Sequence, residues 1–353
     1  MSPGTGIAVS AGACIATAGA TLALRGLLIR RSVMDIPNER SSHALPVPRG
    51  GGAAFVLVIA FMIAAWWAAG QGADRGPAAL AMLAMLGVAT IGMIDDLRGL
   101  PPLLRLGVHL ACAAVAVAAP VQAMAQALGL GAPTALALFA AVTLFAAWSV
   151  NMVNFMDGID GIAAAEGTFV LACTGLLLLW ADPSDTLGWM LAAAAAAVLG
   201  FLLVNISRAR IFMGDCGSGA LGLLVAWALV SAVAKGTVSP WAAAALPAAF
   251  MADAGTTLAV RVAAGANPAK AHRTHAYQRA VRRGASHHAV TAAYCAVNLV
   301  LVAPVAFAAQ RWPQAGPWLV TGLHAALVAA ASIAGAGREP GPDAEAKKPS
   351  KSR

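Results

Sequence analysis

The chain has 353 residues, of which 60% are hydrophobic and 11% charged, and its mean hydropathy is +0.76. So little polar surface cannot cover a soluble globule, which excludes an ordinary water-soluble enzyme and leaves a polytopic membrane protein. The net charge of +8 includes no basic stripe interleaved with stacking aromatics, so nucleic acid is not an expected partner.

Apolar windows of about 18 residues or more begin near positions 6, 51, 76, 103, 132, 161, 186, 218, 240, 288 and 316. Each is long enough to cross a bilayer as a helix, which predicts an all-α fold of 10 to 11 transmembrane helices. Nothing basic precedes the first window, and Arg25, Arg30 and Arg31 follow it, so it reads as a span and not as a cleaved leader. If segment ends alternate between sides, Arg75, Lys235 and Arg311 share one side and every other Lys and Arg shares the opposite one. The basic side is therefore cytoplasmic, with the N-terminus outside and the tail inside. Residues 1–336 read as one membrane domain and 337–353, rich in Pro, Lys and Ser, as a disordered cytoplasmic tail. Cys14, Cys112, Cys173 and Cys295 fall in spans and Cys216 in a cytoplasmic loop, so neither a disulfide framework nor a thiolate metal site is expected.

The unusual polar clusters all fall on the cytoplasmic side. The first is Asp35-Ile-Pro-Asn-Glu-Arg-Ser-Ser-His43, followed by Pro46 to Gly52. Asp95 and Asp96 end the third span; adjacent carboxylates repel, so the pair suits a general base or a cation holder. The alternative is a polar helix end partnered by Arg98. Asn151, Asn154, Asp157 and Asp160 recur every three residues in what reads as a cytoplasmic loop, with Gly158 and Gly161 opening a turn. Carboxylates flanked by hydrocarbon are costly without a cation, a partner or a polar cavity. The alternative there is a wet loop of turn and cap formers. Gly214-Asp-Cys-Gly-Ser-Gly219 leads into an apolar helix beginning at Ser218, where glycines allow close approach and Asp215 can ligate a hard cation bridging phosphates. It lacks the GK[ST] of a P-loop, and a simple capped helix entry is the alternative. His272, Arg273 and His275 lie in the longest cytoplasmic loop and form a fork-shaped anion site suited to a diphosphate; Arg282 and Arg283 read only as topogenic charge.

The order D-x-P-N-x-R, DD, N-x-x-N-x-x-D-G-x-D-G, G-D-x-G-S and a final basic histidine loop resembles the polyprenyl-phosphate N-acetylhexosamine-1-phosphate transferase family, over about positions 30 to 290. The resemblance implies an enzyme of a bacterial inner membrane that transfers a sugar-1-phosphate from a UDP-N-acetylsugar to undecaprenyl phosphate. UMP leaves, and Mg²⁺ is required, with Mn²⁺ as a substitute. It assigns Asp95 and Asp96 as base or nucleophile, Asp157 and Asp160 as catalytic acids shaping the nucleotide and metal pocket, and Asn154 and Asp215 as metal ligands. It assigns substrate binding to Asp35, Asn38, Arg40, His43 and Asn151, and grip on the diphosphate and sugar to His272, Arg273 and His275.

Two departures narrow the branch. The muramoyl-pentapeptide branch carries three consecutive histidines where this chain has His-Arg-Thr-His-Ala-Tyr-Gln278, and Ser41 stands where the common lipid-carrier GlcNAc enzymes have lysine. The chain is more similar to an O-antigen or capsule branch, some of whose members use 6-deoxy sugars. The sugar and the oligomeric state, a homodimer included, stay open, and so does a phospho-N-acetylmuramoyl-pentapeptide transferase activity. A non-catalytic lipid or glycan transporter would place charges at mid-membrane on broken helices, and only Asp253 fits that description. Asp253 falls where the family often has aspartate and reads as pocket-supporting.

Overall fold

The computed structural model describes residues 1–31, 34–35, 46–69, 75–206, 209–267 and 272–338. Asn38, Arg40 and His43 lie outside the described residues, as does the side chain of Asp35. So do residues 339–353, nearly all of the expected tail.

Every apolar window becomes helical. The long spans are α1 (Pro3–Arg30), α3 (Arg75–Arg98), α4 (Pro102–Ala127), α5 (Ala132–Met156), α6 (Ile162–Ala181), α7 (Thr186–Asn205), α8 (Gly214–Ala234) and α14 (Gly316–Ala334), with α2 (Ala53–Ala68) between α1 and α3. The window near 240 breaks at Pro247 into α9 (Pro240–Ala245) and α10 (Ala248–Ala263), since proline donates no backbone bond and its ring clashes with the preceding turn. A short α11 (Ala276–Arg282) precedes the last hairpin. There α12 (His287–Val297) continues through a π turn, Asn298–Val302, into α13 (Ala303–Arg311) as one 25-residue span, the wide turn falling just ahead of Pro304. Among the described residues, nine helices are long and apolar enough to cross a membrane. The remaining two of the predicted spans, α2 and α10, have 16 residues each, which cover only about 24 Å.

Small residues let the helices approach closely. Helix α8 is the central element, with 94% of its apolar window buried, and Ser149 of α5 donates to its Gly222 carbonyl at 2.8 Å. The outermost side chains are large and apolar, among them Phe61, Trp318 and Ile333, as lipid contact requires. At one end of the bundle the N-terminal amine donates to Ser184 O, Lys235 pairs with Asp185 at 2.9 Å, and Gln310 ties Thr237 to Ser239. The opposite end gathers the C-terminal ends of α3 and α5, the N-terminal ends of α4 and α8 and the segment before α11, and holds the motif residues.

A two-stranded antiparallel ribbon, β1 (Met34–Asp35) with β2 (Val47–Pro48), is a small departure from the all-helical expectation. Beyond it Arg49 bridges Phe212, and the Gly51 and Gly52 amides donate to Phe212 O and Met213 O at 2.8 and 2.9 Å. These bonds set Arg49 against the start of α8. Helix α3 also touches α8 there: a Cβ on Gly92 would lie 2.4 Å from the Asp215 carbonyl oxygen. Overpacking of that kind costs about 1–3 kcal/mol. Gly92→Ala is expected to lower the thermal midpoint of the solubilised protein, whereas Gly107→Ala, whose Cβ would meet nothing within 4 Å, is not. Equal midpoints would show that the α3–α8 contact tolerates separation.

Candidate active site

The acids converge through long-range pairings. Arg49 Nε lies 2.8 Å from Asp96 Oδ1 and its Nη2 2.6 Å from Asp215 Oδ1. Arg105, in the first turn of α4, bonds Asp95 through Nη1 and reaches Asp215 Oδ2 at 3.1 Å. Asp96 also accepts the amides of Asp215 and Cys216 at 3.2 and 3.3 Å, so it satisfies free N–H groups at the N-terminus of α8. The Asp95 carboxylate accepts from Leu100 N at 2.6 Å. The partners of the pair are thus Arg49 and Arg105 and not Arg98, the last residue of α3, because the turn after α3 lets α4 bring Arg105 back to the acids.

Two local expectations are corrected. Asn151 and Asn154 stand in the last turns of α5, not in a loop; the helix persists because residues three apart still share one buried face. Helix α8 begins at Gly214, four residues before Ser218, and Cys216 is buried in its first turn, not in a loop, because Asp96 supplies the cap. Gly337 and Arg338 are bonded to the neighbouring loop, through Gly337 N to Thr274 O at 2.8 Å and Arg279 Nη1 to Arg338 O at 2.5 Å.

A cavity of about 670 Å³ opens beside this cluster. Its wall includes Arg105, His109, Asn151, Asn154, Asp215, His272 and His275, together with Leu106, Leu110, Leu144 and Trp148. Leu144 lies ten residues before Asn154 on α5, about 15 Å deeper along the helix. The cavity therefore joins an ionic mouth to an apolar interior. Asp95 and Asp96 do not border it; Asp95 bonds Arg105, which does, and Asp96 is joined through Arg49 to Asp215, which also does.

Not every predicted residue gathers there. Asp160 turns away, accepting from Ala209 N at 3.0 Å and facing His287 Nδ1 at 3.2 Å. Arg273 is partly buried, which lowers its pKa, but it does not border the cavity. His272 stacks on His275 at 5.0 Å, and burial, followed by the charges of His275 and Arg261, pulls its pKa down to about 4. At neutral pH it is an uncharged hydrogen-bonding group and adds no positive charge to the loop. Burial, and then the Asp215 carboxylate, push the Asp157 carboxyl well above the usual range.

Arg49, Arg105, His109 and Tyr277 were not singled out by the sequence. Arg49 had a signal, an arginine ahead of three glycines after Pro-Val-Pro48; Arg105 and His109, one turn apart on an apolar helix, had almost none. Asn154 donates to Ser218 Oγ at 3.0 Å and keeps its amide oxygen for another partner.

The donor set fits a hard divalent cation in kind. Asp95, Asp96, Asp157 and Asp215 outnumber Arg49 and Arg105 at this end of the bundle. Among the described residues, no three acidic, imidazole or thiol side chains stand around one point, since the guanidiniums hold the Asp215 oxygens.

The glycosyl transferase family 4 profile matches residues 78–233. The decaprenyl-phosphate N-acetylglucosaminephosphotransferase of Mycolicibacterium smegmatis is 32% identical over 321 residues, which cover 82% of this chain and 78% of that protein. The protein of the same name from Mycobacterium tuberculosis is 35% identical over 248 residues, and the match spans 60% of its length. A phospho-N-acetylmuramoyl-pentapeptide-transferase of Acaryochloris marina is 29% identical over 213 residues, 57% of its length. With its motifs in order along an all-helical membrane fold, the chain belongs to the polyprenyl-phosphate N-acetylhexosamine-1-phosphate transferase family.

Proposed function

We propose that the protein transfers a sugar-1-phosphate, N-acetylhexosamine or its 6-deoxy form, from a UDP-sugar to undecaprenyl phosphate at the cytoplasmic face of a bacterial inner membrane. The product initiates an O-antigen or capsule-type glycan. The observation that carries this reading is the cavity that places Asp215, Arg105, Asn154 and two histidines at the mouth of an apolar interior. Such a wall suits a reaction between a water-soluble diphosphate and a lipid phosphate, and its volume suits substrate-sized groups.

An oxygen of the lipid phosphate forms a bond to the sugar-bearing phosphorus, and the bridging phosphoanhydride bond breaks, with its electron pair leaving on UMP. Mg²⁺, when bound, neutralises diphosphate charge. Asp215, Asn154 and Asp157 would hold it. Arg105 and the Arg273 of the histidine loop supply positive charge, and neutral His272 with the neighbouring His275 ring orients the donor by hydrogen bonds. Asp95 serves as the base of the pair, because its partner Arg105 stands on the cavity wall, whereas Asp96 holds Arg49 and two α8 amides together. Leu106, Leu110 and Leu144 exclude water from the acceptor's first isoprenoid carbons.

The test is a panel of UDP-N-acetylsugars with undecaprenyl phosphate, scored by lipid product mass and UMP release. The mycobacterial relatives make UDP-N-acetylglucosamine with decaprenyl phosphate the second arm, and the Acaryochloris relative makes the muramoyl-pentapeptide donor the third. UMP-free turnover with every donor would return the transporter reading. Orientation has its own check: cysteine substituted for Gln314 should be labelled from outside intact cells and cysteine substituted for Ala276 should not, with the reverse pattern overturning it.

A further inference from the structure

Asp253 of α10 is buried, and its carboxylate is saturated by protein donors: Ala276 N at 2.8 Å, Tyr277 N at 3.1 Å, Thr257 Oγ1 at 3.2 Å and Tyr294 Oη at 2.6 Å. It anchors the start of α11, and with it the histidine loop, to the membrane domain. The next residue in that chain of contacts is Tyr277, whose side chain is also buried. Its hydroxyl donates to Phe155 O at 2.9 Å, one of the carbonyls that the end of α5 leaves without a helical partner. The His275 ring stacks on the Tyr277 ring at 5.8 Å. On the acid side the fit is tight: a Cβ on Gly158 would lie 2.2 Å from Tyr277 Oη, with the ring's next atoms at 3.1 and 3.2 Å.

Asp253 and Tyr277 thus form a strut from α10 to the turn between Asn154 and Asp157. We propose that Tyr277 is a positioning residue whose hydroxyl fixes the separation between the histidine loop and the Asn154–Asp157 turn, so that the two halves of the diphosphate site stand in register. The catalytic consequence rests on the transferase reading; the mechanical one does not. A misplacement of about 1 Å costs on the order of a hundredfold in rate where reacting groups must align.

The experiment compares Tyr277→Phe, Gly158→Ala, the double variant and Tyr294→Phe, each as the full chain in nanodiscs. The readouts are kcat and KM for donor and lipid, thermal midpoint, and hydrogen–deuterium exchange over residues 155–161. Tyr277→Phe is expected to lower kcat by about ten- to a hundredfold with both KM values within threefold. Exchange over 155–161 should quicken while the rest of the protein and the midpoint hold. Gly158→Ala should be worse, and the double variant should fall well short of the sum of the two losses, because the oxygen 2.2 Å from the new Cβ is gone and only ring atoms at 3.1 and 3.2 Å remain to give way. Tyr294→Phe loses a bond to Asp253 without touching Phe155 and should leave that exchange unchanged. Wild-type kcat and exchange in Tyr277→Phe, or additive losses in the double variant, would overturn the proposal. If the wild-type protein turns over no donor, the transferase reading fails, and the exchange result alone decides whether the strut exists.

Discussion

Asp215→Asn is expected to lower turnover about a thousandfold or more while leaving the protein folded. Asp215 is the one acid of the cluster that borders the cavity, and it takes both Arg49 and Arg105. Asparagine keeps the shape but only one acceptor oxygen, so one guanidinium loses its bond at this position, while Arg49 keeps Asp96, Arg105 keeps Asp95 and the first turn of α8 stays capped by Asp96. What is lost is the negative charge that a divalent cation needs at the diphosphate. The measurement is kcat together with the thermal midpoint and Mn²⁺ binding followed by paramagnetic resonance. A folded variant should have lost both turnover and high-affinity Mn²⁺. Full turnover of the wild-type protein in excess chelator would end the metal role of this site.

The second large effect separates Asp95 from Asp96. A lipid phosphate monoester has a second pKa of about 6, so a base is needed below that value and becomes dispensable above it. Asp95→Asn is expected to cut kcat by about a hundredfold below pH 6 and to recover as pH rises and the dianion forms unaided. Asp96→Asn should not recover, since its carboxylate holds Arg49 and the α8 amides together and its loss disturbs the site at every pH. Asp215→Asn should not recover either. The profiles are taken at saturating Mg²⁺ and lipid. Equal, pH-independent losses in all three variants would remove the general-base role and leave the pair as a support for Arg49 and Arg105.

The spans and the motif order were legible in the sequence because hydropathy is local: crossing the bilayer needs a run of apolar residues, and each predicted window became a helix. Charge asymmetry along the chain predicts that the acidic motifs share one end of the bundle, and the structure gathers Asp95, Asp215, Asn154 and His272 at one end. The pairings within that end were not legible. Arg105 meets Asp215 across 110 positions and Tyr277 meets Phe155 across 122, and contacts at such separation leave no period or spacing in the chain. Helix ends were misplaced for the same reason: α8 starts at Gly214, ahead of Ser218, where Asp96 accepts the amides of Asp215, 119 positions away, and Cys216. The residues and their order are thus written in the chain, while only close packing of α3, α4 and α5 around α8 decides which acid faces the cavity and which guanidinium it meets, since a buried carboxylate must find a partner and tertiary proximity alone supplies one.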